Sequence, residues 1–129
     1  YTCQMFAFAD SNDMPAVTNA ACEFSDVIYV PTDNAVASST DIIDGICRPA
    51  GVPIIAGEEG ICAGCGVATL SISYYDLGYK TGEMAVQILK GEADIATMEI
   101  ANAPATPKYN AEICTDLGLT APEGYAAIG

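Results

Sequence analysis

The sequence predicts one α/β domain built on a parallel β-sheet, and three observations support this prediction. The 129 residues have the usual length of one domain, and 51% of them are apolar, which is enough for a packed core. Apolar runs of strand length recur along the chain. Stretches of helical length separate most of these runs, which is the pattern of parallel strands joined by helices.

Four strands rich in aromatic or β-branched residues are predicted at residues 2–9, 26–30, 52–56 and 67–72. Segment 57–66 contains four glycines and is predicted to be an ordered loop, because glycine disfavours helix. Segment 93–108 carries two prolines and is expected to be an extended connection with one short strand near residues 98–101.

Four helices are predicted from residues that start and stop helices, such as a proline after capping residues or a glycine just beyond the end. They run from Pro15 to about Glu23, from Asn34 to Pro49, over about 15 residues to Leu89, and from Asn110 to Gly118. The second and third carry apolar residues three or four positions apart, so each is expected to pack through one face.

Charge and missing residue types exclude several function classes. Seventeen Asp and Glu residues against four Lys and Arg give a net charge of −13, which repels nucleic acid and anionic lipid. Histidine, the usual general base and the commonest metal ligand, is absent. No apolar run approaches the roughly 18 residues of a transmembrane helix. We therefore expect no nucleic-acid partner, no catalytic residue, no metal and no cofactor, and hence no enzyme.

Polar loops follow the predicted strands, at the edge where ligands of open parallel sheets bind. These loops lie at residues 10–12, 31–34, 57–60 and 73–76. The second is the strongest candidate, because backbone N–H groups of a helix start can hold a carboxylate while Asp33 holds an amine. An amino acid carries both groups.

Each loop also has a purely structural interpretation. Asp33 or Asn34 is a common helix cap, and Glu58 and Glu59 suit a solvated turn in an acidic protein. Tyrosines near a strand end, such as Tyr75, often belong to the core. From these residues alone both interpretations stay open.

Cys62 and Cys65 are spaced as Cys-Ala-Gly-Cys, which has three interpretations. They form a local disulfide or plain buried thiols, or a redox pair, or part of a metal site. The flanking glycines and the lack of histidine weaken the last two. No helix start or basic group is predicted nearby to lower a thiol pKa, so no catalytic role is expected.

Four segments in the same order give the chain a family resemblance. They are DVIYVPTDN at residues 26–34, PIIAGEEG at 53–60, ATLSISYYDLG at 68–78 and TGEMAVQILKG at 81–91. With these segments the chain resembles the substrate-binding proteins of ABC importers, in the subgroup associated with aromatic amino acids. Residues 110–122 also resemble the C-terminus of that subgroup.

The resemblance implies one lobe of a type I periplasmic-binding-protein fold, with a Rossmann-like parallel sheet and flanking helices. Such proteins have two lobes, and this chain corresponds to the C-terminal part. Residues 1–73 and 106–129 would form the C-terminal lobe, while 76–103 would pack on an N-terminal lobe that this sequence lacks. That lobe or a second copy of the chain would cover an apolar stripe formed by Leu77, Met84, Ala85 and Ile88. Because it opens at Tyr1 without a signal segment, we expect a processed chain or a piece of a longer protein.

The resemblance also implies a function outside the cytoplasm, in a lipid-anchored or secreted protein. Such a protein binds a small amino acid-like ligand, here an aromatic amino acid, and delivers it to the membrane subunits of an ABC importer. The residues expected to face the cleft are Thr32, Asp33, Asn34, Glu58, Glu59, Tyr75 and Asp76. The alternative is a structural or self-assembling module that keeps the lobe fold without ligand transport.

Overall fold

The computed structural model describes residues 1–128, which divide into two compact units. Unit 1 contains Tyr1–Ser71 and the chain from Pro107 onward, and unit 2 is Ile72–Thr106. The helices are α1 (Met14–Phe24), α2 (Asn34–Ala37), α3 (Thr40–Ala50), α4 (Glu59–Cys65), α5 (Tyr74–Leu89) and α6 (Ala111–Asp116). The strands are β1 (Ile28–Val30), β2 (Ile54–Ala56), β3 (Ala68–Ile72), β4 (Ala105–Tyr109) and β5 (Ala126–Ala127).

The strands form one sheet, in which they lie in chain order from β1 to β5. β1 and β2 are parallel, with Ile28 opposite Ile54, and β2 and β3 are parallel, with Ile55 opposite Ala68. β4 and β5 are parallel as well. Because a parallel pair needs a crossover, helices α2 and α3 connect β1 to β2, and α4 connects β2 to β3. The predicted fold class, α/β with a parallel sheet and flanking helices, is confirmed.

The core of unit 1 joins one face of the sheet to helices α1, α3 and α4. Strand residues Val30, Ile54 and Ala56 are buried there with Cys47 of α3 and Ile61 of α4. A second cluster surrounds α6 and contains Val67, Ala68, Ile113 and Cys114. Burying each large apolar side chain is worth roughly 1.5–3 kcal/mol, so these contacts stabilise strands and helices that are short.

The strand residues between the buried ones are exposed and apolar. Tyr29 keeps 67% of its surface exposed and Leu70 keeps 60%, and Ile55 is also exposed. Tyr29 and Ile55 are neighbours in the register of β1 and β2. The second face of the sheet in β1 to β3 therefore presents apolar side chains.

Three helix ends that follow from local capping are confirmed. Pro15 lies in the first turn of α1, as a proline at a helix start should. Gly91 follows the end of α5 with a φ of 73°, in the left-handed region that favours glycine. The side chain of Asn110 accepts hydrogen bonds from the first N–H groups of α6.

The predicted helix from Asn34 to Pro49 is two helices, α2 and α3. Asp33, and not Asn34, is the N-cap of α2, because its carboxylate accepts a hydrogen bond from the N–H of Val36. The break falls at Ser38 and Ser39, whose hydroxyl-bearing side chains disfavour a helix interior.

The prediction of a strand at residues 2–9 is wrong, since no strand is assigned there. Its aromatic residues find packing partners without joining the sheet. The ring of Phe6 lies 5.8 Å from that of Phe24 in α1, and Phe8 packs against the core. An alternating apolar segment can therefore bury its aromatic side chains against a helix and the core without forming a strand.

The prediction of a loop at residues 57–66 is also wrong, because α4 occupies most of it. Ile61, Cys62 and Cys65 of α4 are buried, and this tertiary packing overrides the poor helix propensity of glycine. Gly64 is needed for that packing. A Cβ atom placed there would lie 2.2 Å from the hydroxyl oxygen of Thr40 in α3.

The short strand predicted near residues 98–101 is absent from the described chain, and β4 lies later, at Ala105–Tyr109. Pro107 lies inside this strand, although the two prolines of segment 93–108 were the reason to expect an extended connection there. The N–H of Ile128 donates to the carbonyl of Tyr109 beside β5, so strand pairing continues past the proline.

Unit 2 contains α5 and the segment that follows it. None of its residues, all of which are described, is buried. Met84, Ala85 and Ile88 of the predicted apolar stripe line a groove with Ile95 and Ile100 of the following segment. Packing of residues 76–103 on another lobe stays a prediction. Within residues 1–128, no helix is both long and apolar enough to cross a bilayer.

Candidate functional site

The loops that follow β1 and β2 are joined at the carboxyl edge of the sheet. The N–H of Gly57 donates to the carbonyl of Val30 at 2.7 Å, and the hydroxyl of Thr32 donates to the carbonyl of Gly57 at 3.3 Å. A Cβ at position 57 would lie 2.6 Å from the backbone nitrogen of Thr32, so only glycine permits this approach. The structure thus brings the Thr32 loop beside the Glu58 loop.

Asp33 and Asn34 lie at the start of α2 and are both exposed. The Oδ1 atom of Asp33 accepts the N–H of Val36 at 2.9 Å, so this carboxylate has the capping role that the structural interpretation gave it. Because α2 has only four residues, its dipole adds little to ligand binding. Any ligand contact of Asp33 or Asn34 is a prediction that rests on their exposure at this edge.

Glu58 is the N-cap of α4, and its carboxylate turns toward its own helix. Its side-chain oxygens accept hydrogen bonds from the N–H groups of Gly60, at 2.8 Å, and of Ile61. A glutamate in this role satisfies two N–H groups that the helix cannot pair internally. A ligand contact of Glu58 would add to these bonds or replace them.

Glu59 pairs with a cation that the sequence argument missed. The ammonium of Lys108 in β4 lies 2.6 Å from Oε2 of Glu59, and both side chains remain partly exposed. The N–H of Glu59 donates to the hydroxyl of Ser71 in β3 at 3.2 Å. Lys108 and Ser71 therefore join Glu59 at the carboxyl edge. The sequence held no local signal for Lys108, which ends the segment predicted to be an extended connection and lies 49 positions from Glu59.

Tyr75 and Asp76 lie in unit 2, in the first turn of α5. Ser73 caps this helix by accepting the N–H of Asp76 at 3.1 Å. Tyr75 keeps 80% of its surface exposed, so the interpretation of this tyrosine as a core residue does not fit unit 2. The convergence of Tyr75 and Asp76 with the unit 1 loops stays a prediction.

The charge at the unit 1 edge favours a ligand with an amine. Three carboxylates, from Asp33, Glu58 and Glu59, are accompanied by the one ammonium of Lys108. An amine and a carboxylate on one small molecule can pair with this mixed set. Within residues 1–128, no group of three or more metal-ligating side chains is placed to hold a metal ion.

Cys62 and Cys65 are free, buried thiols in α4. Burial raises the pKa of both to about 12, and nearby Cys114 and Glu59 add to the effect at Cys62. The expectation that no helix starts nearby is wrong, because α4 begins at Glu59. The thiols are nevertheless held protonated, which is the opposite of the thiolate that redox catalysis requires.

A parallel sheet with polar residues at the carboxyl ends of its strands is typical of α/β lobes that bind small molecules. A family model described as ABC transporter substrate binding protein matches residues 2–125. The chain belongs to this family.

One curated relative is a tyrosine-binding protein from Clostridioides difficile strain R20291. It is 44% identical over 68 residues, which are 53% of this chain and 20% of the relative. The chain thus aligns with only a part of that protein.

Solved structures match over nearly the whole chain. A Streptococcus protein in complex with L-Trp has a TM-score of 0.81 and 28% identity, over 97% of this chain and 44% of that one. A ligand-free, open substrate-binding protein with adhesive properties from Clostridium difficile has a TM-score of 0.74 and 36% identity, over 94% and 42%. The chain therefore spans less than half the length of these proteins.

Proposed function

We propose that the protein containing this chain is the extracytoplasmic solute-binding component of an ABC importer. It binds an aromatic amino acid without covalent chemistry, in a cleft between this lobe and a second one. The observation that carries the proposal is the hydrogen bond that joins the Thr32 loop to Gly57, close in sequence to the Glu59–Lys108 ion pair, in a lobe of this family. Relatives named for tyrosine and L-Trp support the choice of ligand.

The roles of the residues follow from ligand chemistry. The ammonium of the amino acid pairs with the carboxylate of Asp33 or Glu59, and the ligand carboxylate pairs with Lys108. Thr32 and Asn34 offer further hydrogen bonds, and Glu58 adds negative charge. From unit 2, Tyr75 stacks on the ligand ring and Asp76 adds a carboxylate.

The proposed partners are those of an importer. The loaded protein delivers its ligand to the membrane subunits, and residues 76–103 pack on the other lobe. That packing explains why unit 2 has no buried residue of its own. Its apolar groove beside α5 would otherwise stay open to water.

Calorimetry on the complete protein tests the proposal with a matched ligand set. L-tyrosine, L-tryptophan and L-phenylalanine should bind. Tyramine lacks the carboxylate and 3-(4-hydroxyphenyl)propionate lacks the amine, so each should bind at least about tenfold more weakly than tyrosine. Equal binding of all three tyrosine-like compounds, or of none, would contradict the proposal.

A second candidate is self-association of the lobe. It is favoured by the exposed face of β1 to β3, where Tyr29, Ile55 and Leu70 are apolar, and by the neighbour with adhesive properties. Light scattering on the complete protein, with and without Leu70→Ser, tests it. A concentration-dependent dimer that the substitution abolishes would support this candidate, and a monomer at every concentration would reject it.

A further inference from the structure

Cys22 of α1 and Cys47 of α3 lie against each other where these two helices pack. Their sulfur atoms are 3.4 Å apart. Cys47 is buried, with 2% of its surface exposed, and Cys22 is half-buried. Cys22 is therefore the more accessible residue of the pair, and Cys47 is the buried one.

The remaining buried cysteines have a different environment. The thiols of Cys62 and Cys65 each lie against a carbonyl oxygen of the α4 region, and that of Cys114 lies 3.6 Å from the carbonyl of Val67. Sulfur faces backbone oxygen in these three cases, whereas at the contact of α1 and α3 sulfur faces sulfur.

We propose that Cys22 and Cys47 form a reversible intramolecular disulfide that fastens α1 to α3. A disulfide has an S–S distance near 2.05 Å, so the two sulfurs need to approach by about 1.4 Å. Side-chain rotation supplies a movement of this size. The Cys-x-x-Cys spacing drew attention to Cys62 and Cys65, while this pair is separated by 25 positions and only the fold brings it together.

The oxidant is a small-molecule disulfide such as oxidised glutathione. The thiolate of Cys22 attacks one sulfur of this disulfide, which breaks its S–S bond and releases one glutathione thiolate. The thiolate of Cys47 then attacks the sulfur of Cys22 and displaces the second glutathione. The protein loses two protons and two electrons, and the oxidant is reduced to two thiols.

The pH dependence follows from the surroundings of Cys47. Burial raises its pKa, and so do Cys22 from α1, Cys65 from α4 and Asp44 from its own helix. Little of the Cys47 thiol is therefore ionised at neutral pH, and closure of the disulfide is slow there. Formation of the mixed disulfide at Cys22 removes the contribution of the Cys22 thiol to the raised pKa of Cys47. Closure should therefore accelerate as the pH rises from 7 to 9, because more of Cys47 becomes thiolate.

The disulfide would enclose β1, α2 and the loop that carries Thr32 and Asp33. Closing a loop of this length lowers the entropy of the unfolded chain and so stabilises the fold. The folded state changes little, because α1 and α3 are already in contact.

The test incubates the purified complete protein in glutathione buffers of increasing oxidised fraction, ending with oxidised glutathione alone. Remaining thiols are alkylated under denaturing conditions, and the digest is mapped by mass spectrometry. We expect a linked Cys22–Cys47 peptide and a melting temperature higher by about 5–10 °C, both reversed by reductant. Cys3→Ala should keep the temperature shift, because Cys3 is exposed, and Cys22→Ala should abolish it.

Mapping on the unaltered protein decides the proposal even if a variant fails to fold. Alkylation of both Cys22 and Cys47 after incubation in the most oxidising buffer would overturn it. A linked peptide that joins either residue to another cysteine would overturn it as well.

Discussion

The guanidinium of Arg48 lies 2.7 Å from the carboxylate of Asp116 and joins α3 to α6. Arg48 also pairs with Asp44 at 2.9 Å and with Glu112 at 3.1 Å. Its hydrogen bonds to Asp44, Glu112 and Asp116 raise the pKa of this arginine, so it stays charged at every accessible pH. In a chain with four cations, one of them thus pairs with three carboxylates.

Replacing Arg48 should destabilise unit 1. Arg48→Met leaves three carboxylates close together without a cation, and we expect a loss of about 1–3 kcal/mol in the free energy of unfolding, measured in urea. Arg48→Lys should recover only part of it, because lysine lacks the planar fork that pairs with Asp44 through two nitrogens.

The matched control is Lys80→Met. Lys80 pairs with Glu83 one turn away in α5, and both side chains are about half exposed, so the loss should stay below about 0.5 kcal/mol. Equal losses of unfolding free energy in the two variants would show that the Arg48 cluster stabilises the fold no more than an exposed ion pair does.

Gly57→Ala should disrupt the edge where the β1 and β2 loops meet. The added methyl would press on the backbone of Pro31 and Thr32, at 2.9 and 2.6 Å, and a shift of Thr32 would strain the hydrogen bond from its hydroxyl to the carbonyl of Gly57. We expect a loss of about 1–3 kcal/mol in urea unfolding and weaker ligand binding. Gly45→Ala is the control, because nothing lies within 4 Å of its Cβ in helix α3, and it should stabilise by about 0.5–1 kcal/mol. Equal free energies of unfolding in the two variants would show that position 57 does not require glycine.

Asp33→Asn separates the two roles of Asp33. Asparagine caps a helix about as well as aspartate, so the free energy of unfolding should change by only a few tenths of a kcal/mol. The proposed contact with a ligand ammonium would lose its charge, and the affinity for tyrosine should fall about 10- to 100-fold in calorimetry. Asp41→Asn, in the exposed first turn of α3, should leave the affinity unchanged. An unchanged affinity in Asp33→Asn would assign this residue to capping alone.

Stability should fall at alkaline pH because of the buried thiols. The pKa of Cys62 and of Cys65 is about 12 in the fold and near 9 in the unfolded chain. Between these values the unfolded chain has lost protons that the fold retains, so the free energy of unfolding decreases as the pH rises. Each thiol contributes a slope of up to about 1.4 kcal/mol per pH unit, and below pH 9 the effect vanishes.

Urea unfolding from pH 8 to 10.5 in reductant measures this slope. Cys62→Ala should flatten it, whereas Cys3→Ala should not, because Cys3 is exposed. A slope identical in the unaltered protein and in Cys62→Ala would refute the assignment to Cys62.

Features set by a few neighbouring residues could be predicted from the sequence. Pro15 at the start of α1, Gly91 after α5 and Asn110 before α6 act through bonds within their own turn. For the same reason, the capping interpretation of Asp33 was available beside the ligand interpretation. The type and position of Asp33 allowed both a capping role and a ligand contact. The hydrogen bond from the N–H of Val36 shows the capping role.

Features that depend on distant residues could not be predicted. Helix α4 forms despite its glycines because Ile61 and its neighbours bury against the core. Residues 2–9 do not form the strand that their alternation predicted, and Phe6 among them packs on Phe24 of α1. The pair of Glu59 and Lys108 joins positions 49 residues apart, and only the sheet brings them together.

The hydrogen bonds of Gly57 to Val30 and to Thr32 would lower the entropic cost of the ligand binding that we propose at this edge. A small molecule that binds to loose loops must order them, which costs about 0.5–1.5 kcal/mol for each immobilised side chain. Here Gly57 already bonds to the backbone of Val30 and accepts the hydroxyl of Thr32. The ordering was completed when the chain folded, and a molecule arriving at this edge meets a preorganised surface.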